Sequence, residues 1–235
     1  MPSLAATKIA DHDTVAFSVS TPRKGWSRDW IEVQEEERRR ISHELHDDLG
    51  QRLALIEIRL DQLGHGSLPP EVVTGLKNVK FMIGEMDRDI HRICYELYPV
   101  VLEKLGLIAG LRSLCSDFSE ASGVTTTFEH RDIPEYVAKN ASLCLYRVAQ
   151  EALHNITKHS RAQSAQVSLI GTAEGLEITI VDSGVGFDPF LSRTRRGLGL
   201  VTIAERVQSV GGSCSIHSSP GLGTEVRAMI YAVTD

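Results

Sequence analysis

The sequence lacks long apolar runs, an excess of basic charge and closely spaced cysteines. No stretch approaches the roughly 18–20 apolar residues of a membrane-spanning helix, and the first thirty residues lack the apolar core of a secretory signal. A net charge of −6 argues against a general nucleic-acid-binding protein. The wide spacing of the cysteines predicts reduced, buried thiols rather than disulfides or a metal site. These absences favour a cytoplasmic protein without a membrane span in this chain.

The sequence does contain a long amphipathic helix centred on residues 40–55. Its apolar residues recur every three or four positions, which predicts one apolar helix face and a helix–helix seam. We expect this helix to begin at Trp26 or Trp30 and to end near Leu63. The seam residues are Ile41, Leu45, Leu49, Leu53, Ile56, Leu60 and Leu63.

A second helix is predicted over about Pro70–Leu97, where steps of three and four alternate without a break. Its apolar residues are Leu76, Val79, Ile83, Met86, Ile90, Ile93 and Leu97. Two such helices joined by the short Gly64–Pro70 loop form an antiparallel hairpin. A single hairpin covers both apolar stripes poorly, so the pattern favours a homodimer in which two hairpins form a four-helix bundle.

One polar cluster on the first helix has the composition of a reactive site. His46 falls at the edge of the apolar stripe, Asp47 follows it directly, and Gln51 lies a little over one turn further on. A carboxylate beside an imidazole can orient or deprotonate it, and a neutral amide can position a water molecule or a phosphoryl oxygen. A single histidine at such a place is more often a solvated flank residue, and His43 is interpreted in that way.

The remainder of the chain mixes strand and helix patterns without regular βαβ repetition. This predicts an α+β protein, in which the helical hairpin precedes an α/β sandwich of a mixed sheet layered with helices. The predicted domains are a hairpin over residues 28–104 and a sandwich over residues 105–235. Residues 1–27 are expected to be a flexible leader or an upstream connection, with one short strand within Thr14–Ser20 left open.

Three segments of the second domain carry residues suited to a nucleotide. Glu151 and Asn155 share one helix face, and Lys158 follows one turn later; an amide oxygen suits Mg²⁺ and an ammonium suits phosphate. In VDSGVGF, Asp182 can accept a hydrogen bond from an exocyclic amine, and the glycines allow close backbone approach. In isolation, the first segment is more often an exposed polar face and the second a turn.

The third segment is Arg195–Leu200, RRGLGL, directly before a predicted helix. Glycines leading into a helix N-terminus leave free backbone N–H groups that can bind phosphate. The spacing of a Walker loop is absent, and no Rossmann glycine pattern opens a βαβ unit. Any nucleotide site here therefore belongs to another class.

Two segments together resemble one family. ERRRISHELHDDLGQRL resembles the phosphoacceptor helix of sensor histidine kinases with an HDxxxQ motif, the branch of nitrate and membrane-fluidity sensors, and YELYPVVLEKLGLIAGL resembles the connector of that branch. The three nucleotide segments, followed by Gly221–Thr224, resemble the N, G1 and G2 boxes of the ATPase fold shared by gyrase, Hsp90, histidine kinases and MutL. The resemblance covers about residues 30–233.

The resemblance implies a role for each matching residue. His46 would be phosphorylated, Asp47 would be its acid/base neighbour, and Gln51 would help to remove phosphate from a partner. Asn155 would hold Mg²⁺, and Asp182 would bind the adenine amine of ATP. The other implied site residues are Glu151 as a catalytic residue, Lys158, His159 and Arg196 near the phosphates, Thr224 near the adenine, and Gly184, Gly186, Gly197, Leu198, Gly199 and Leu200 around a short lid, residues 188–196.

The implied function is that of a dimeric histidine kinase core. It would phosphorylate His46 from ATP, pass the phosphoryl group to an aspartate of a response regulator receiver domain, and also dephosphorylate that regulator. One alternative is a nucleotide-driven clamp that hydrolyses ATP with Glu151 as the base. Another is a scaffold that binds nucleotide poorly. The HDxxxQ motif argues against the clamp, and intact Asn155 and Asp182 argue against the scaffold.

Overall fold

The computed structural model describes residues 15–18, 26–65, 68–188 and 198–231, and the chain divides into two compact units. Residues 30–100 form the hairpin unit. The described residues outside that range form the second unit, which we call the sheet unit. The strand Val15–Ser18 (β1) belongs to the sheet unit, so this part of the expected flexible leader is instead a short strand.

Two long helical segments form the hairpin unit, whose boundary at residue 30 falls within the first helix. The first consists of α1 (Trp26–Glu44), a π-helical segment (Leu45–Gly50) and α2 (Gln51–Gly64). The second is α3 (Pro70–Leu97), as the periodicity predicts. Proline at its first position suits a helix start, and Tyr98 becomes extended because it precedes Pro99. The pairs Ser42–Cys94 and Asp61–Lys80 show that the two segments run antiparallel.

A single hairpin leaves much of its apolar surface uncovered. Ile83 and Cys94 are the buried hydrophobic residues described in this unit. Several residues of the two predicted apolar stripes stay exposed, among them Ile56 at 44% and Met86 at 57%. None of the helices in the described ranges is long and apolar enough to cross a membrane. The pairing of two hairpins remains a prediction, and the exposed side chains are those that it would cover.

The sheet unit contains a six-stranded mixed sheet of order β1-β5-β6-β4-β3-β2, in which the pair β2–β3 is parallel and the other pairs are antiparallel. The predicted mixed sheet is therefore confirmed. Residues alternate between buried and more exposed along β3 and β4, so one face of the sheet forms the core. The strands after β1 are Thr125–Arg131 (β2), Ser164–Gly171 (β3), Leu176–Asp182 (β4), Ser213–Ser218 (β5) and Thr224–Ile230 (β6).

Three helices complete the sheet unit, and their apolar residues join those of the strands in one core. They are α4 (Val100–Ser122), α5 (Lys139–Asn155) and α6 (Leu198–Ser209). Helix α4 is interrupted at Gly106, whose positive φ of 81° breaks the helical path. A second π-helical segment, Ile156–Ser160, extends α5 and ends at Arg161 in the left-handed region. The fold is therefore α+β, as predicted.

Candidate functional site

The end of α5 and the start of α6 bring three predicted site residues together. Glu151 and Asn155 lie one turn apart on α5 and are both half-buried. Gly199 lies in the first turn of α6, where a Cβ atom would overlap Glu151 Oε1 and lie 3.4 Å from Asn155 Nδ2. Glycine thus lets α6 begin beside these side chains, and the first turn of a helix carries backbone N–H groups without helical partners.

Asn155 has an unusual environment. Among the residues that the structure describes, its Nδ2 is the one buried side-chain N or O atom without a hydrogen-bond partner. Leaving such an atom unpaired costs about 1–3 kcal/mol, so folding alone does not explain it. A ligand that offers a hydrogen-bond acceptor to this Nδ2 would remove the penalty. The side chain therefore fits a site prepared for a ligand, and its amide oxygen is of the type that Mg²⁺ accepts.

Asp182 ends β4 and is buried, with 6% of its surface exposed. Its Oδ1 accepts hydrogen bonds from Ser160 Oγ at 2.6 Å and from the Gly184 backbone N–H at 2.8 Å. A Cβ atom at position 184 would overlap Ser160, so the turn needs glycine. Both hydrogen bonds found in the described part of the chain go to Oδ1. The carboxylate is thus fixed in orientation, and Oδ2 remains for a donor on a ligand.

Thr224 lies opposite Asp182 in the register of β4 and β6. Its Oγ1 is 3.0 Å from Ser218 Oγ. Ser218 Oγ also accepts a hydrogen bond from the backbone N–H of Phe187 at 3.0 Å. Gly186 has a φ of 56°, and a Cβ atom there would overlap the carbonyl oxygen of residue 219. These contacts hold the turn after β4 against the end of β5 and the connection that leads into β6. The predicted residues Asp182, Gly184, Gly186 and Thr224 therefore do lie together.

Sequence reasoning missed Ser160 and Ser218, which orient these predicted residues. Ser160 is buried and donates to Asp182 from the end of the second π-helical segment, 22 positions earlier in the chain. The one feature of the sequence that could have indicated this role is a hydroxyl residue at a point where a helix must end before a strand. That signal equally fits an ordinary helix terminus, so only the fold shows that the Ser160 hydroxyl meets Asp182.

The remaining predicted nucleotide residues are exposed, lie at the start of α6, or fall outside the described residues. Lys158 and His159 are exposed on the second π-helical segment. Leu198 and Leu200 lie with Gly199 at the start of α6, and Leu200 packs against the core. Arg196, Gly197 and the predicted lid, apart from Asp188, fall outside the described residues.

The hairpin carries the other predicted cluster. The His46 side chain is 48% exposed and lies in the first π-helical segment, a type of local helix distortion that is frequent at functional sites. Its Nδ1 is 3.2 Å from Asp47 Oδ1, on a carboxylate that is 69% exposed. When Nδ1 carries the proton and donates to Asp47, the lone pair lies on Nε2. The ring then offers Nε2 as a nucleophile.

Gln51 begins α2, directly after the π-helical segment, and its side chain is exposed. His43, interpreted above as a surface residue, is exposed on α1. The cluster His46, Asp47 and Gln51 is therefore open to solvent, as the periodicity predicts. It can be reached by a second molecule.

All four cysteines are free and buried, as the sequence predicts. Burial raises the pKa of Cys94, and it raises the pKa values of Cys115 and Cys214 to about 12. Because a thiolate is the reactive form, these side chains act as small core residues rather than as nucleophiles.

The fold and the site define the class of the protein. The sheet carries the buried Asp182 and its glycine turn, α5 carries Asn155 beside the first turn of α6, and a helical hairpin with an exposed histidine precedes them in the chain. Residues 140–233 match the family model "Histidine kinase-, DNA gyrase B-, and HSP90-like ATPase", and residues 37–102 match the model "Histidine kinase". The chain belongs to the histidine kinases.

Two curated proteins show what the chain is similar to. It is 34% identical over 205 residues to sensor histidine kinase MctS of Rhizobium johnstonii, covering 85% of this chain and 44% of that protein. It is 30% identical over 208 residues to the signal transduction histidine-protein kinase/phosphatase DegS of Brevibacillus brevis, covering 87% of this chain and 54% of that protein. The chain thus spans about half the length of these relatives.

Among solved structures, the histidine kinase domain of the blue-light-activated histidine kinase from Erythrobacter litoralis EL346 matches 77% of this chain and 94% of its own. The sequence identity is 17% and the TM-score is 0.49.

Proposed function

We propose that this chain is the catalytic core of a sensor histidine kinase that phosphorylates His46 from ATP. The observation that carries the proposal is the exposed His46 ring, whose Nδ1 faces Asp47 and whose Nε2 is thereby left to react. The match of both family models to one chain, with the ATPase model following the histidine kinase model, supports the same function.

The sheet unit supplies the ATP site. Asp182 Oδ2 would accept the adenine amine, while Oδ1 stays bound to Ser160 and Gly184. Asn155 would hold Mg²⁺, which neutralises phosphate charge when bound, and the exposed ammonium of Lys158 would attract the phosphates. Glu151 lies on the same face as Asn155 and completes the polar side of the site. The first turn of α6 offers backbone N–H groups to phosphate oxygens.

The chemical step is a displacement at phosphorus. His46 Nε2 attacks the γ-phosphorus of ATP, a P–N bond forms, and the bond from phosphorus to the bridging oxygen breaks to release ADP. The imidazole ring then carries positive charge. Asp47 compensates this charge through Nδ1–H, or accepts that proton outright, so its carboxylate stabilises the phosphorylated ring.

The partners of the kinase belong to the same proposal. The uncovered apolar face of the hairpin supports a homodimer built as a four-helix bundle. The phosphoryl group would pass to an aspartate of a response regulator receiver domain, and Gln51 would position the water that later removes it. DegS, described as a kinase/phosphatase, supports both activities. Use of ATP and four free cysteines favour a cytoplasmic site of action.

The test compares the wild-type chain with His46→Gln and with His43→Gln, the change of another exposed histidine three residues earlier in the same helical segment. Each protein is incubated with Mg²⁺ and γ-labelled ATP. We expect acid-labile, alkali-stable label on the wild type and on His43→Gln, and none on His46→Gln. Phosphate release at equal rates from all three proteins, without protein-bound label, would contradict the proposal and favour an ATP-hydrolysing clamp.

A further inference from the structure

The hairpin holds its two helical segments in one axial register around His46. Ser42 Oγ donates to the carbonyl oxygen of Cys94 at 3.1 Å, and Cys94 Sγ donates to the carbonyl oxygen of Ser42 at 3.5 Å. Both residues are buried, at 0% and 3% exposure. About one helical turn from this pair, on the side away from His46, the Arg39 guanidinium lies over the Tyr98 ring, 5.9 Å from the ring centroid. This reciprocal contact fixes which residue of α3 lies opposite each residue of the first segment.

The register places a second histidine against His46. His46 lies four residues after Ser42 and His91 lies three residues before Cys94, so both are one helical turn from the buried pair, in the same direction. Their rings are 5.5 Å apart between centroids and inclined at 70°, an edge-to-face arrangement. Aromatic rings favour this geometry at such separations. The contact therefore follows from the register and is not an isolated surface encounter.

His91 itself is oriented from its own helix. Its Nε2 lies 3.6 Å from Asp87 Oδ2, one turn earlier on α3. Both side chains are partly exposed, at 48% and 42%. The motif HDxxxQ covers only the first segment, so it contains no information on His91.

An exposed imidazole needs restraint to be an efficient nucleophile. The His46 ring turns about two side-chain bonds, and the Asp47 contact alone constrains one ring nitrogen. A second ring at its side limits rotation about the outer bond and so limits the directions in which Nε2 can point. Catalysis gains when a reacting atom is held in a productive direction before the reaction.

We propose that His91 is a positioning residue that holds the His46 ring for phosphorylation; this inference rests on the proposed kinase function. His91 acts through the ring contact and touches neither ATP nor the transferred phosphoryl group. An aromatic ring of similar size should therefore replace it, whereas a small side chain should not.

The kinetic test uses the full chain with Mg²⁺ and γ-labelled ATP, and compares His91→Ala, His91→Phe and the control Arg88→Ala. Arg88 is exposed on α3 one turn before His91 and pairs with Glu85. We expect His91→Ala to lower the phosphorylation rate constant at saturating ATP about three- to tenfold. The ATP concentration for half-maximal rate should stay unchanged. His91→Phe should retain most of the rate, and Arg88→Ala should match the wild type.

A spectroscopic readout separates positioning from a loss of structure. The ring resonances of His46, assigned by their absence in His46→Gln, are recorded by NMR without nucleotide. We expect His91→Ala to shift these resonances, because the neighbouring ring current is removed, while the far-ultraviolet circular dichroism and the thermal midpoint stay close to those of the wild type.

The outcomes distinguish the two proposals. Absence of label on the wild type overturns the kinase function itself. Label on the wild type with an equal rate for His91→Ala overturns the positioning role alone. A His91→Phe rate as low as that of His91→Ala also overturns it, because the ring contact would then not be the cause. Unshifted His46 resonances in His91→Ala have the same consequence.

Discussion

The two units of this chain differ in how far one copy completes its own core. In the sheet unit, side chains from α4, α5 and the strands are fully buried, for example Leu111, Leu145 and Val167 at 0% exposure. In the hairpin unit, Phe81, Met82 and Met86 are more than half exposed. We therefore predict that the sheet unit binds its ligand as a single copy, and that the hairpin that carries His46 needs the proposed partner surface to complete its packing.

The two units also differ in the burial of their polar groups. The sheet unit contains the buried, unpartnered Nδ2 of Asn155 and the buried Asp182, whose bonding leaves one oxygen for a ligand. The residues of the hairpin to which the proposal assigns the reaction, His46 and Asp47, are exposed. In the proposed function, binding in the first unit would use desolvated groups, and reaction in the second would use groups that an incoming molecule can reach.

We expect the largest effect from replacing Asn155 in the sheet unit, whose buried Nδ2 has no hydrogen-bond partner in the described part of the chain. Asn155→Ala should lower autophosphorylation at least about 100-fold, because the proposed Mg²⁺ ligand would be lost and a bound metal ion stabilises transition-state charge by several kcal/mol. The free energy of unfolding without nucleotide should stay the same or rise by up to about 1 kcal/mol, because a buried unpaired group is removed. Labelling assays and urea unfolding measure the two quantities.

The control for Asn155→Ala is His154→Ala, a change at an exposed neighbour on α5. It should leave both activity and stability near the wild-type values. A fall in unfolding free energy of several kcal/mol in Asn155→Ala would contradict the interpretation, because the amide would then serve the fold and not a ligand.

The next largest effect concerns the uncovered face of the hairpin. Met86→Glu places a charge on the apolar stripe of α3, where Met86 is 57% exposed in one copy. In a two-fold dimer the charge enters the interface twice, so the dimer dissociation constant should rise on the order of 100-fold. Sedimentation velocity over a range of concentrations measures it.

Thr74→Glu is the matched control for Met86→Glu, because it adds the same charge to an exposed position on the same helix, away from that stripe. It should leave the dimer intact. A monomeric wild-type chain, or equal weakening by both variants, would refute the assignment of the Met86 face to the dimer. ATP binding by the sheet unit should persist in Met86→Glu, which would confirm that the two units differ in their need for a partner.

A smaller effect is expected at Ser160, which orients Asp182. Ser160→Ala removes one of the two hydrogen bonds found on Oδ1, while the Gly184 N–H remains. Nucleotide affinity measured by calorimetry should fall about three- to tenfold, the equivalent of one hydrogen bond. Ser183→Ala is the control, since Ser183 is exposed and bonds to Ser164 rather than to Asp182. Equal affinity of both variants would assign Ser160 to the fold alone.

The sequence predicted the fold better than it predicted the site. Periodicity located α3, a helix of 28 residues, because the apolar stripe from Leu76 to Leu97 repeats without a break. It could not reveal the contacts Ser160–Asp182 and His46–His91, which join residues 22 and 45 positions apart through the path of the chain. Local patterns report which face of an element is buried, whereas a meeting of two side chains depends on register.

The smallest effect concerns thiol reactivity, which reports local opening in each unit. Cys115 and Cys214 lie in the sheet unit with pKa values raised by burial to about 12, so about 10⁻⁴ of each thiol is ionised at pH 8. Because the folded pKa is raised, alkylation should be very slow at pH 8 and should accelerate up to pH 10 without a plateau. Burial also raises the pKa of Cys94, but Cys94 lies in the unit with the less complete core.

Local opening requires less free energy where fewer apolar contacts must be broken, so Cys94 should be alkylated first in the native protein. Mass spectrometry after timed iodoacetamide treatment ranks the sites, with unfolded protein as the reference for full reactivity. Dimer formation should slow the reaction of Cys94 and leave Cys115 and Cys214 unaffected, and Met86→Glu should remove that protection. Equal protection of Cys94 in the wild type and in Met86→Glu would mean that one hairpin is as stable alone as in the pair, contrary to the difference between the two units.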